Sequence, residues 1–189
     1  MSRNYKIRDQ TKLYFVSFAV VNWIDLFVRR EYKQVVVESL KYCIKHKGLE
    51  VYAWCIMSSH VHLLIGSNIE LIGSNIEPIE GILRDMKRHT AKVILNMLEE
   101  HNQESRKEWL LWMFRRAGSS NPSTDIYQFW QHHNHPIELH NNLIMQQKLD
   151  YLHQNPVEAG FVEEPWEYLY SSARDYAGNK GLIDIILIE

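Results

Sequence analysis

Two rhythms of apolar and polar positions run along this chain, and the points where one gives way to the other mark its elements. Leu13 to Val21 (LYFVSFAVV) is dense in aromatic and β-branched residues and predicts a buried strand. From Glu31 to Lys47 the spacing turns helical, with Tyr32, Val35, Val36, Leu40, Cys43 and Ile44 in step. That segment closes on Lys45, Lys47 and Gly48, a basic last turn followed by a capping glycine. Glu50 to Met57 reads as the next strand and Ser58-Ser59 as a tight connection to the strand beginning at His60, so the two predict a hairpin. Pro78 at a first-turn position opens a helix to about Leu98, with Leu83, Met86, Val93 and Met97 as its apolar side. A short Trp-rich helix follows from Glu108 to Phe114, then a strand over Gln128 to Gln131. Asn142 to Asn155 is the last helix, and Pro156 fixes its end because the residue before a proline avoids the α region.

The order strand, helix, strand, strand, helix, strand, helix is a ferredoxin-like α+β pattern: an antiparallel sheet with helices packed on one face. At 189 residues and 46% hydrophobic content, residues 1–189 are read as one domain around a single core. Two loops interrupt it. Gly66-Ser67-Asn68-Ile69-Glu70 recurs as Gly73-Ser74-Asn75-Ile76-Glu77, a unit too short for a solenoid, which lengthens a mobile connection near 66–77. The turn chemistry of Gly118 to Thr124 predicts a second mobile loop near 117–126. No apolar run approaches the ~18 residues a membrane span needs, and the N-terminus lacks a secretory core, so no membrane role and a cytoplasmic location are expected. Cys43 and Cys55 sit in apolar patterns without C-x-x-C spacing, which predicts reduced, buried thiols. A net charge of −2 argues against non-specific coating of nucleic acid, so any such contact has to be a local basic patch.

Candidate chemistry starts at His60-Val61-His62. On a strand the two imidazoles project from one face, while Val61, Leu63 and Ile65 point the other way, into a core. Separated by about 6.6 Å along the strand, the pair can hold one divalent ion if a third ligand arrives from elsewhere. In the last helix Tyr151 and Asn155 lie four residues apart, on one face. A phenol, with a pKa near ~10, is a poor nucleophile at neutral pH. It attacks a phosphodiester only where the phosphate is polarised, and a divalent ion does that as a Lewis acid. The amide oxygen of Asn155 would complete the ligand set with His60 and His62, leaving positions open for phosphate oxygen and water. The competing interpretations are a chance His-x-His and an ordinary tyrosine on an amphipathic helix.

The segment Tyr151-Leu152-His153-Gln154-Asn155-Pro156-Val157-Glu158-Ala159-Gly160-Phe161-Val162, followed by Tyr170-Ser171-Ser172-Ala173, resembles the C-terminal signature of the REP-associated tyrosine transposases, which belong to the HUH single-strand (insertion-sequence-200-like) group. His60-Val61-His62, after Ala53-Trp54-Cys55-Ile56-Met57, matches the HUH element, and the resemblance runs from about Tyr5 to Tyr176. It implies a fold of the HUH endonuclease type, Tyr151 as nucleophile, His60 and His62 as metal ligands, and Asn155 at the third-ligand position. Gly160 would cap the turn after the proline. One departure stands out. The family carries an acidic residue and a histidine shortly after its Trp-Gln pair, whereas Trp130-Gln131 is followed at shortened spacing by His132-His133-Asn134-His135. His135 is therefore left outside the catalytic set. The cluster His132, His133, His135 and His140 reads alternatively as a zinc site, although no cysteine accompanies it and its spacing fits no common zinc pattern.

Arg84, Lys87, Arg88 and Lys92 form a basic stripe on the helix that follows the His-x-His strand, placed to border the site and contact DNA. Arg115-Arg116 is a second basic pair, and Trp109, Trp112 and Trp130 fit either core packing or stacking on unpaired bases. The expected function is a metal-dependent single-stranded DNA endonuclease and strand transferase. It would act at hairpins of repetitive palindromes through a 5′-phosphotyrosine intermediate, with Mg²⁺ or Mn²⁺ and no nucleotide cofactor. Related transposases act in pairs, so a homodimer is compatible with this expectation. The alternatives are a domesticated hairpin-binding protein that no longer cuts, and a replication-initiator or relaxase-type nickase.

Overall fold

The computed structural model describes residues 7–68, 77–101, 103–119 and 126–188. Its elements are β1 (Tyr14–Ala19), α1 (Arg30–Lys47), β2 (Leu49–Ile56), β3 (His60–Ser67), α2 (Ile79–Glu100), α3 (Lys107–Ser119), β4 (Ile137–Glu138), α4 (Asn142–Glu158) and the single turn α5 (Ala173–Tyr176). The strands form one antiparallel sheet in the order β2-β3-β1-β4, the ferredoxin-like arrangement.

Period-two alternation sorts the central strands onto two faces. Phe18 opposes Val61 and Val16 opposes Leu63. This side carries α1 and α2: the Phe18 ring meets Trp130 at 4.9 Å, and Trp130 in turn donates its indole N–H to Thr90 of α2. The intervening residues, Phe15, Ser17 and Ala19 on β1 with His60, His62 and Leu64 on β3, point the other way. There α4 lies, its Tyr151 ring 6.0 Å from Phe15. Two helices thus cover one face as the pattern predicts, and the last helix covers the other.

The hairpin of β2 and β3 forms through Ser58-Ser59 with one irregularity, a bulge between Val51 and Ala53. An unpaired residue reverses which side chains face which way. The shift sets Cys55 opposite His62 and leaves Trp54 and Ile56 on the side of α1 and α2. The outer edge of β2 is not left open. Ile56 N–H donates to Tyr170 O at 2.9 Å, Ser172 N–H to Trp54 O at 2.9 Å and Ile186 N–H to Val51 O at 3.0 Å. The C-terminal segment therefore blocks a strand edge that would otherwise template aggregation.

Several boundaries differ from expectation. Pro156 lies inside α4, which runs on to Glu158, with Gly160 (φ 72°) just past its cap residue Ala159. Gly160 N–H bonds Val157 O and Phe161 N–H bonds Pro156 O, a Schellman closure that needs the left-handed conformation glycine adopts freely. Gly48 (φ 69°) ends α1 in the same conformation. On α2 the buried side runs through Ile82, Leu83, Met86, Thr90, Ile94 and Leu98, whereas Val93 and Met97 are half-buried at its margin. No strand forms over Gln128 to Gln131. Phe129 and Trp130 are both buried in the core, and the segment's pairing with β1 is limited to a single bridge from Val20 to Trp130 where β1 ends. The fourth strand is Ile137–Glu138, after a turn at His135 (φ 42°). Gly66 and Ser67 belong to β3, and α3 extends to Ser119. Residues 69–76 and 120–125, which hold the rest of the two expected loops, lie outside the described residues.

Cys43 and Cys55 are free and buried, and burial pushes their thiols up to about 11 and about 12. Among the described residues no helix is long and apolar enough to cross a membrane.

Candidate active site

The site is built on β3 and closed by α4. His60 and His62, two residues apart on the same strand face, bring their ring centroids to 4.7 Å. His62 is nearly sealed from water, stacked on Phe15 at 5.4 Å. Both of its ring nitrogens are buried without a hydrogen-bond partner. Burial, with smaller contributions from the charges of His60 and Lys148, pushes this imidazole down to about 3. A neutral ring with free lone-pair capacity is what a metal ligand must be.

His60 is half-buried, with Nδ1 3.1 Å from the Ser59 hydroxyl. Its pKa is lowered by burial and partly restored by a side-chain hydrogen bond with Asn155. The Asn155 side chain therefore lies within hydrogen-bonding reach of His60, on the helix that faces the histidine pair. Among the described residues no three His, Cys, Asp or Glu side chains gather in one place, so an amide is the donor at hand.

α4 delivers this group. Lys148, Tyr151 and Asn155 lie at i, i+3 and i+7, one stripe of a helix. Asn141 opens the helix by accepting from Ile144 N–H at 2.8 Å. The Tyr151 ring stands edge-on to His62 at 5.3 Å and is 44% exposed, open to a substrate arriving from solvent. Lys148 Nζ lies 5.2 Å from the Phe15 centroid and 5.6 Å from that of Tyr151, which adds a cation to the mouth of the site. The opposite stripe anchors the helix. His153 Nε2 lies 2.9 Å from Ser172 Oγ, which also accepts from Trp54 N–H at 2.9 Å on β2.

Tyr151, His60, His62 and Asn155 therefore converge within one chain. The expected DNA contacts do not join them. α2 packs on the sheet face opposite the histidines, so its basic stripe does not border the site. Arg84 bonds Glu77 at 2.9 Å, Arg88 bonds Asp85 at 2.5 Å, and Lys92 is exposed. Arg88 and Lys92 line a groove of about 1080 Å³ between α1 and α2 that shares no residue with the histidine pair. Lys87 leaves the stripe altogether. Its ammonium turns inward to Gln131 O at 2.8 Å and Asn134 Oδ1 at 2.9 Å, and burial pushes it down to about 8. On α3, Arg115 bonds the Tyr127 hydroxyl at 2.8 Å and Arg116 lies over the Trp112 ring at 5.2 Å. Trp130 is core, whereas Trp109 and Trp112 are each about half exposed. His132, His133, His135 and His140 are exposed and gather no ligand set.

Phe15, Lys148, His153 and Ser172 are additions that sequence reasoning missed. Lys148 was legible from the helical stripe alone. The contact between His153 and Ser172 joins residues 19 apart and carries no local signal.

No curated protein matches this sequence. A solved structure of a REP-associated tyrosine transposase bound to a REP hairpin is similar in fold, with a TM-score of 0.65 at 15% identity, covering 100% of this chain and 96% of that one. The family model of IS200-like transposases matches residues 18–115, just over half of the chain, taking in the last two residues of β1, then α1, the β2–β3 hairpin with its His-x-His strand, and α2. The chain belongs to the IS200-like transposase family.

Proposed function

We propose that the protein nicks and rejoins single-stranded DNA beside hairpins, with Tyr151 as nucleophile. The observation that carries this reading is the convergence of Tyr151 and Asn155 from α4 with His60 and His62 from β3. The fold's likeness to a hairpin-bound transposase supports the choice of substrate. Family membership favours strand transfer over a replication-initiator or relaxase role.

His60, His62 and Asn155 fit a divalent ion: the buried nitrogens of His62 have no hydrogen-bond partner, and two imidazoles with one amide favour Mn²⁺ over Mg²⁺ on ligand preference, whereas cellular abundance favours Mg²⁺. Such an ion supplies Lewis-acid polarisation of the phosphate and offsets charge building on its oxygens. The phenol oxygen of Tyr151 attacks phosphorus, the bond to the 3′ oxygen breaks, and a 5′-phosphotyrosine and a free 3′ hydroxyl result. The phenol proton leaves to water and the departing 3′ oxygen takes one up. Because the new ester retains the phosphodiester's energy, attack by another 3′ hydroxyl reverses the step without a nucleotide cofactor. Lys148 contributes positive charge at the entrance, and Phe15 keeps water from His62. The site needs no side chain from a second copy.

The test is incubation with Mg²⁺ or Mn²⁺ and single-stranded hairpin oligonucleotides, taken from whatever inverted palindromes the DNA flanking the coding region contains. A covalent adduct surviving denaturation is expected, and Tyr151→Phe removes it. Undiminished adduct in that variant would overturn the assignment. Hairpin binding that survives EDTA, without cleavage under any divalent ion, would make the protein a silent hairpin binder.

A further inference from the structure

Trp23 stands beside the site in a conformation its sequence gives no local reason to adopt. It closes a 3-10 turn over Val21–Trp23 in which both Asn22 (φ 56°) and Trp23 (φ 55°) are left-handed. Asparagine tolerates that region, but a bulky side chain there is a genuine outlier, and such outliers persist only where the surroundings over-determine them. Here the surroundings are the two neighbours. Val21 and Ile24 are both buried, pulled into the core on either side. Val20 N–H bonds Ser59 O at 2.8 Å and Phe27 N–H bonds Ser58 O at 2.8 Å, tying the turn to the β2–β3 connection at both ends. Between these anchors Trp23 is turned outward, 57% exposed, with its ring 5.4 Å from that of His60.

The consequence is a row of rings along the site: Trp23, His60, His62 and Tyr151, successive centroids separated by 5.4, 4.7 and 5.3 Å. Its two ends differ in chemistry. Tyr151 carries a nucleophilic oxygen; Trp23 has a large π-face, no charge, and an indole N–H that none of the hydrogen bonds described above engages. Its exposed π-face opens beside the histidine pair, one ring away from His60. A single-stranded DNA substrate brings flat, unpaired bases within reach of any phosphate held there, and every base has a π-face that stacks on indole.

We infer that Trp23 is a stacking platform for one unpaired base next to the scissile phosphate, fixing the strand's register so that the phosphate meets Tyr151. This deepens the proposed function and rests on it. Trp23 is a binding and positioning residue; the chemistry remains with Tyr151.

The experiment uses full-length protein and a hairpin oligonucleotide whose single-stranded flank is scanned with one abasic site at a time. Wild-type protein is expected to show one flank position where base removal weakens binding roughly 5- to 100-fold, the range of a lost base–aromatic stack. Trp23→Ala is expected to lose the same factor on the intact strand and nothing more on the strand abasic at that position. Trp23→Phe, which keeps a ring in the same turn, is expected to restore most of the affinity, so a general folding defect is distinguishable from loss of the stack. Trp23→Ala binding within twofold of wild type, or an equal loss on every abasic strand, would overturn the inference while leaving Tyr151 in place. A wild-type protein that forms no adduct and binds no hairpin DNA would instead overturn the reading beneath it.

Discussion

Replacing Ser172 with alanine tests how the site is held together. Ser172 is fully buried, and its hydroxyl serves three groups at once. It accepts from Trp54 N–H at 2.9 Å, sits 2.9 Å from His153 Nε2 and lies 3.3 Å from Trp54 O. Trp54 O keeps a partner in the variant, because Ser172 N–H still donates to it at 2.9 Å. Trp54 N–H does not, since it faces the outer edge of β2 and only Ser172 covers it. A buried donor left unmatched costs about 1–3 kcal/mol. His153 loses its partner too, but the ring is only half-buried and water can compensate in part. Together these give roughly 2–4 kcal/mol, large against a typical total of about 5–15 kcal/mol yet compatible with folding. Urea unfolding followed by circular dichroism reads the loss directly, with an unchanged slope as the sign that the unfolded state is the same. The same change loosens α4, because His153 lies between Tyr151 and Asn155. Faster amide exchange in α4 and weaker adduct formation should accompany it. Ser171→Ala is the control: equally buried, its hydroxyl accepts Ala173 N–H at 3.2 Å and bonds the Cys55 thiol but takes no strand N–H, and about 1 kcal/mol is expected. A Ser172→Ala loss below about 0.5 kcal/mol, or no greater than that of Ser171→Ala, would refute the reasoning.

Three further outcomes follow from particular residues. Gly160→Ala meets nothing within 4 Å and costs only the left-handed backbone, about 1–2 kcal/mol, whereas Gly118→Ala places a methyl 2.5 Å from Ile126 O and should cost more in thermal melts by prying α3 off that segment. For Glu104, burial alone would raise the carboxyl pKa, but hydrogen bonds from Arg106 and Arg29 outweigh it and lower the value. A lowered pKa stabilises the fold above the ordinary carboxylate range and is lost as pH falls through it, so Glu104→Gln should be less stable at neutral pH and show a flatter acid limb in denaturation. Lys87, pushed down to about 8 by burial, makes the folded state release its proton before the unfolded chain does. Stability should therefore rise between about pH 8 and pH 10 in the wild type relative to Lys87→Met, by at most about 3 kcal/mol. Equal slopes in the two proteins would show that the ammonium is not desolvated.

Most of the architecture was legible because it rests on periodicity, which is local. Helical spacing gave α1 to within one residue and its glycine cap. Alternation in β3 separated the histidines from the core-facing Val61, Leu63 and Ile65, and the serine pair gave the hairpin. The pairing of Tyr151 with Asn155 on one helical face needed nothing beyond a count of four. The misread elements are those in which a local rule met a stronger constraint. Pro156 predicts a terminator, but α4 runs on to Glu158 because its last turn closes through Gly160 N–H on Val157 O and Phe161 N–H on Pro156 O. Phe129 and Trp130 suggest a strand by composition; both rings pack into the core beside Phe18, Phe27 and Phe114, and a single bridge to Val20 is all the pairing the segment makes with β1.

By itself the sequence determined which side chains share a face, because that depends only on the repeat of the backbone and on residues a few places apart. It could not determine which faces meet. The basic stripe of α2 lies on the layer away from the histidines, and Lys87 turns into the protein, because a crossover helix goes to whichever side of the sheet its apolar stripe is buried on. Conversely, Trp23 reaches His60, and Ser172 reaches His153 and Trp54, across separations of 19 to 118 residues. Such contacts are fixed by packing two layers of helix against one sheet, and only the folded chain decides them.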